Sequence, residues 1–290
     1  MDGRGREGMM KKKLLGLVAC VATLALSGAL LAGCSSSGSS SSDKAADNAS
    51  TDKTTLTVGF DQSYPPYGFV GDDGKYTGFD LDLAQAVCDK NGWDLKLSAI
   101  DWDAKDALLA QGNINCIWNG FTMEGREDGY TFSDPYMLNE QVVVVKAGSN
   151  ISDFAGLSGK TVMTQVDSAA LDVLEGDQAE VAATFKGGAA QTIGDYNNAF
   201  MQLDSGMIDA VACDLSIAQY QIAANPGKYV QLETPLSTEH YAVGFKKGDT
   251  ELAKQVTDTL KQLDADGTVK QLCEKYASYG ISYDNWVLGK

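Results

Sequence analysis

From residue 54 onward, short β-prone runs take turns with stretches whose apolar residues recur every third or fourth position. Leu56-Thr57-Val58-Gly59-Phe60 predicts a strand, followed by a loop holding Tyr64-Pro65-Pro66-Tyr67. Gly78-Phe79-Asp80-Leu81-Asp82-Leu83 opens a helix with Phe79, Leu83, Ala86 and Val87 on one face. Residues 95–100 predict a strand, and a helix ending near Gly112 leads into a mostly buried strand over residues 114–118. Asp80 and Asp82 in the first turn of one helix, and Asp103 before the next, are expected to cap them. The later half repeats the scheme, with strands over 160–165, 208–213 and 229–232 and helices opening at Asp167-Ser168 and Asp195. Two closing helices lie between Leu252 and Tyr276, around Asp266-Gly267-Thr268. Such alternation predicts an α/β fold. The runs at 141–146 and 241–245 are extended enough to cross between two lobes.

The two halves share a signature. Leu109-Ala110-Gln111-Gly112-Asn113-Ile114-Asn115 resembles Leu203-Asp204-Ser205-Gly206-Met207-Ile208-Asp209, each a helix end, a glycine C-cap and a short apolar strand. The first strand stops in Asn119-Gly120-Phe121-Thr122, and the carboxyl ends of strands in open α/β sheets are where ligands bind. Arg126 follows, either an ordinary surface arginine or a fork for a carboxylate. The second strand ends in Asp214. One end therefore offers hydroxyl, amide and guanidinium groups and the other a carboxylate. A zwitterion with a carboxylate and an ammonium satisfies both, so the expected ligand is a free amino acid. The helix opening at Ser168 adds N–H groups suited to an anion. His240 is the only histidine and has no nucleophile patterned beside it, which gives a Ser–His–Asp site little support.

The amino terminus changes the setting. Lys11-Lys12-Lys13 precede an uncharged apolar run over residues 14–31, long enough for a membrane span. The basic front, the small residues and the serine-rich tract from Ser35 favour a cleaved signal over residues 1–33. Residues 34–53 lack periodicity and predict a flexible tether. Residues 1–33 hold five basic and two acidic side chains, so their loss leaves 257 residues and takes the net charge from −16 to −19. A body that acidic argues against nucleic acid or an anionic membrane surface as partner. Cys88, Cys116, Cys213 and Cys273 have no metal-like spacing; an exported chain can pair them, but their apolar settings favour buried thiols. No metal or cofactor is expected.

Leu31-Ala32-Gly33-Cys34 resembles a bacterial lipobox, which implies lipid on Cys34. Tyr64-Pro65-Pro66, Gly78-Phe79-Asp80-Leu81-Asp82-Leu83, Phe132-Ser133-Asp134-Pro135-Tyr136 and Asp266-Gly267-Thr268 occur in that order. Together they resemble the bacterial extracellular solute-binding proteins of family 3, which serve ABC importers. The resemblance implies a type II periplasmic-binding-protein-like fold with two hinge strands. One lobe comprises residues 54–141 and 243–290 and the other residues 142–242, closing on one amino acid. By position it implies Gly120 and Thr122 on the ligand's α-amino and α-carboxylate groups, Arg126 and Ser168 on the carboxylate and Asp214 on the ammonium. Tyr64 and Trp102 would line the side-chain pocket, with Asp61 and Asn119 where a polar side chain is met. The segment from Gly120 to Arg126 is one residue shorter than the commoner pattern, and Asp167 stands where a glycine is usual.

These readings favour a monomeric, lipid-anchored binder on the extracytoplasmic face of the cell membrane. It would deliver a basic or glutamine-like amino acid to ABC permease subunits. The enzyme alternative is a cyclohexadienyl or arogenate dehydratase on the same fold, which should not need Asp214 for an ammonium together with a lipobox. A receptor's sensor lobe is a third reading, weakened because no second apolar span follows up to Lys290.

Overall fold

The computed structural model describes residues 54–290; the expected signal segment (1–33), the tether (34–53) and Cys34 lie outside the described residues. Alternation in β1 (Thr55–Phe60) buries Leu56, Val58 and Phe60. The chain continues through β2 (Ser63–Tyr64), β3 (Gly68–Val70), β4 (Tyr76–Thr77), α1 (Phe79–Asn91), β5 (Asp94–Ala99), α2 (Lys105–Gln111), β6 (Cys116–Ile117) and β7 (Tyr130–Phe132). The strand β8 (Met137–Lys146) opens the second half. There β9 (Val162–Gln165), α3 (Ala169–Glu175), α4 (Ala179–Ala182), β10 (Gln191–Ile193), α5 (Tyr196–Ser205), β11 (Ala210–Asp214), α6 (Leu215–Ala224) and β12 (Tyr229–Gln231) follow. Then β13 (Ser237–Tyr241) leads to β14 (Gly244–Lys246), α7 (Thr250–Ala265) and α8 (Thr268–Lys275).

Two sheets result. The first runs β5-β1-β6-β14-β7, parallel through β5, β1 and β6, with β14 antiparallel to both its neighbours. The second runs β10-β9-β11-β8-β12, and β13 joins β8 as well. The valine run of β8 is explained by burial on both faces. Val142 and Val144 pack with Phe200 and Leu203, while Val143 and Val145 pack with Leu157 and Leu174. Residues 137–141 of β8 pair antiparallel with 241–237 of β13, and 141–146 pair with β11 and β12 in the same sheet.

Helix starts follow the expected residues in part. Ser168 and Asp195 cap α3 and α5 by accepting from the N–H groups of Leu171 and Asn198. Asp103 does not cap: it sits inside a short 3₁₀ turn, and α2 starts at Lys105 without a side-chain cap. Cys88, Cys116, Cys213 and Cys273 are buried and none of the four is in a disulfide, as their apolar settings suggest.

Candidate ligand-binding site

The ladder between β8 and β13 runs where the two sheets meet, with Asn139 opposite Glu239 and Gln141 opposite Ser237. Strand alternation buries Asn139, Gln141, Glu239 and Tyr241 and leaves Leu138, Glu140, Thr238 and His240 less covered. His240 pairs outward with Glu124, at 2.7 Å from Nδ1.

From the first sheet, β6 delivers Asn119-Gly120-Phe121-Thr122. Gly120 has φ +58°, which strains any other side chain, and a Cβ there would crowd the rings of Tyr64 and Tyr241 at 3.1 Å. Its N–H donates to Asp80 Oδ2 at 2.6 Å, and the Tyr136 hydroxyl donates to the same carboxylate. Asp80 is therefore no helix cap. The N-cap of α1 is Gly78, and the wholly buried Asp80 holds the Gly120 loop instead, its pKa raised by burial to about 7. Asp82 pairs with Lys275 and the Tyr276 hydroxyl.

From the second sheet, β11 delivers Asp214. Its Oδ1 accepts from Asn139 Nδ2 at 3.0 Å, Gln141 Nε2 at 2.7 Å and the Tyr241 hydroxyl at 2.8 Å. Burial raises its pKa. Glu239 Oε1 accepts from the same two nitrogens, at 2.9 and 2.7 Å, and from the Thr122 hydroxyl at 2.7 Å. Burial, and then the charge of Asp214, push the Glu239 carboxyl to about 7.

Arg126 lies between the sheets. Its Nη2 donates to the Asp167 carbonyl at 3.2 Å and to Asp172 Oδ2 at 2.8 Å, and its guanidinium carbon is 5.0 Å from the Phe121 ring centroid. Asp167 has φ +54°, the left-handed region that glycine enters most easily. Its carbonyl also accepts from Trp102 Nε1 at 3.1 Å, and its carboxylate pairs with Lys105 at 3.2 Å. The residue standing in glycine's usual place thus fastens one sheet's loops to the other's.

Tyr64, Trp102, Gly120, Thr122, Arg126, Ser168 and Asp214 line one small cavity with Gln165 and Ala169. Asp61 and Asn119 do not line it. Asn119 Oδ1 accepts the Asp61 N–H at 2.9 Å, and Asp61 Oδ2 accepts from Gln165 Nε2 at 2.7 Å. Gln165, Glu239, Asn139 and Gln141 escaped the sequence reading. For the last three the signal was present as the polar runs Asn139-Glu140-Gln141 and Ser237-Thr238-Glu239-His240 beside extended apolar stretches.

The arrangement offers a guanidinium and helix-cap groups at one side and buried carboxylates at the other, with no metal-holding group among the described residues. Residues 56–279 match the model of the bacterial extracellular solute-binding proteins, family 3. The chain belongs to that family. It is 30% identical over 270 residues to the L-cystine-binding protein TcyJ of Escherichia coli (strain K12), covering 92% of this chain and 97% of that protein. A substrate-binding protein of an ABC uptake transporter from Streptococcus pneumoniae, solved with bound histidine, superposes with a TM-score of 0.76. It has 34% identity and covers 79% of this chain and 94% of that one. An ancestral amino acid-binding protein described as a precursor of cyclohexadienyl dehydratase has a TM-score of 0.68 and 30% identity, covering 77% of this chain and 95% of that one. The fold is accordingly the two-lobed type II binding-protein fold, and the family is extracellular.

Proposed function

We propose that the chain captures a polar amino acid, basic or glutamine-like, between its lobes and passes it to the permease of an ABC importer. The observation that carries this reading is one cavity lined by Arg126 and Asp214, whose charges match the two ends of an amino acid. Thr122 and Ser168 stand beside them. Residues 54–141 with 243–290 form one lobe and 142–242 the other, hinged at the β8–β13 ladder. Binding involves no turnover. Ligand shifts the population toward the closed arrangement. Cys34 carries lipid and holds a monomer on the extracytoplasmic face of the membrane, motivated by the lipobox-like Leu31-Ala32-Gly33-Cys34.

Relatives that bind cystine or histidine support the amino-acid class, and the dehydratase-related neighbour is itself described as an amino acid-binding protein. Thermal-shift screening of the purified chain against the twenty amino acids, cystine and ornithine should single out one ligand or a few. No shift with any of them, together with conversion of prephenate or arogenate, would replace this reading with the enzyme. Mass spectrometry of membrane-extracted protein should find Cys34 as a lipidated amino terminus.

A further inference from the structure

Asp214 and Glu239 come from different strands, β11 and β13, yet share both of their amide donors. Gln141 Nε2 lies 2.7 Å from an oxygen of each, and Asn139 Nδ2 lies 3.0 and 2.9 Å away. Because one nitrogen is 2.7 Å from both oxygens, those oxygens are separated by no more than twice that distance. The other side chains that hydrogen-bond the pair are neutral: Tyr241 and Tyr64 on Asp214 and Thr122 on Glu239. Tyr64 and Tyr196 also stand near Asp214, and both are neutral at ordinary pH because burial raises their hydroxyls further. Among the described residues no lysine, arginine or histidine pairs with either carboxyl. Arg126, the cation in the same cavity, is taken up by Asp167 and Asp172, and His240 by Glu124. Two adjacent buried carboxyls without a cation cannot both be charged cheaply.

The amide of Gln141 adds an independent sign. Gln141 is fully buried, and its Oε1 has no hydrogen-bond partner. Turned over, that amide places its oxygen against the two carboxyls and accepts an O–H from whichever is protonated. The network therefore serves two charge states. With both carboxyls ionised it donates to each; with one protonated it accepts.

We propose that Glu239 is a positioning residue that shares one proton with Asp214 in the ligand-free cleft and gives it up when an α-ammonium group arrives, so that amino-acid capture expels a proton. The inference rests on the amino-acid reading of the cavity. The carboxyl O–H bond breaks, its electron pair stays on the oxygen, and the proton passes to a buffer base. The ammonium then supplies the positive charge that the proton had supplied. With Glu239 ionised, the Thr122 hydroxyl keeps its proton on Oε1 and presents lone pairs to the same ammonium. That differs from the role of carboxylate donor that the resemblance allowed Thr122.

Calorimetry of the purified chain in phosphate, imidazole and Tris reports the proton count, since the observed heat varies with buffer ionisation enthalpy in proportion to protons released. L-arginine and L-glutamine are suitable probes because their side chains do not titrate near neutral pH. The expected result is release approaching one proton near pH 6 and vanishing above about pH 8. Affinity should then rise up to about tenfold per pH unit below pH 7. Glu239→Gln should bind with a release near zero and a flattened pH profile, a change that a merely structural role would not produce. Binding of a probe with no buffer-dependent heat at pH 6 in the wild-type chain overturns the proposal and leaves amino-acid capture standing. No binding heat from any probe overturns both.

Discussion

Asp214 and Arg126, which line one cavity, carry the two charges of the proposed amino-acid reading, and each drew notice in the sequence because it follows the end of an apolar strand. Arg126 is met in the structure by Asp172, which is half-exposed, and by a carbonyl, partners that a ligand carboxylate can displace. Truncating either residue would leave the ligand's opposite charge dry and unpaired, at a cost of about 2–5 kcal/mol. Arg126→Ala and Asp214→Ala should therefore weaken every accepted amino acid by roughly 30-fold to several thousandfold. Calorimetry that finds Arg126→Ala unimpaired would move the carboxylate clamp elsewhere in the shortened loop. Asp61 was legible as a polar strand-end residue, but its use was not. Its carboxylate is spent on Gln165, about a hundred residues away in sequence, and no local pattern announces such a partner. The same holds for Asp80, whose place in a first helical turn suggested a cap. Its actual partners, Gly120 and Tyr136, arrive only through the tertiary fold.

At the scale of elements, periodicity revealed the α/β alternation because each strand and helix buries one or both faces and repeats its apolar residues accordingly. It missed the first half of β8 for a physical reason. Residues 137–141 carry Asn139 and Gln141 on their buried side, so they lack the apolar signature that marked residues 142–146. On the proposed lobe boundaries, directional contacts between the lobes include Asp61 with Gln165, Trp102 with the Asp167 carbonyl, Lys105 with Asp167 and Arg126 with Asp172. Small-angle scattering should give a smaller radius of gyration with saturating ligand than without; an equal radius at saturation sinks hinge closure but not binding. Trp102→Phe keeps an aromatic ring and loses one inter-lobe hydrogen bond, worth about 0.5–1.5 kcal/mol. Ligand affinity should fall by roughly 2- to 13-fold, mostly as faster dissociation, on the proposal that this bond must break for the lobes to open.

Across the whole molecule the buried acids set how stability answers to pH. Burial raises the pKa of Asp80 and Glu239 to about 7 and lifts Asp61 and Asp214 as well. Each of these groups binds its proton more tightly folded than unfolded. Their stabilising contribution is thus complete below the unfolded carboxylate range near pH 4 and is lost as pH climbs toward 7. A group with one more proton folded than unfolded contributes a slope of up to about −1.4 kcal/mol per pH unit in that window. Self-repulsion in a chain carrying a net charge of −16 at pH 7 acts in the same direction, since it fades toward the isoelectric point near 4.4. Asp266 acts oppositely at the acid end. Its bonds to Lys90 and Thr268 lower its pKa to about 2, so its contribution is present above pH 4 and disappears as pH falls through 2. Thermal melts of the ligand-free chain should therefore peak between about pH 4 and 5 and decline toward pH 7.5. Asp80→Asn keeps an oxygen for the Gly120 N–H and has no proton to lose, so its melting temperature should fall less steeply than wild type between pH 5 and 7. Parallel slopes for the two proteins would mean that Asp80 is ionised throughout. The Gly120 loop would then be anchored on a buried charge rather than on a neutral carboxyl.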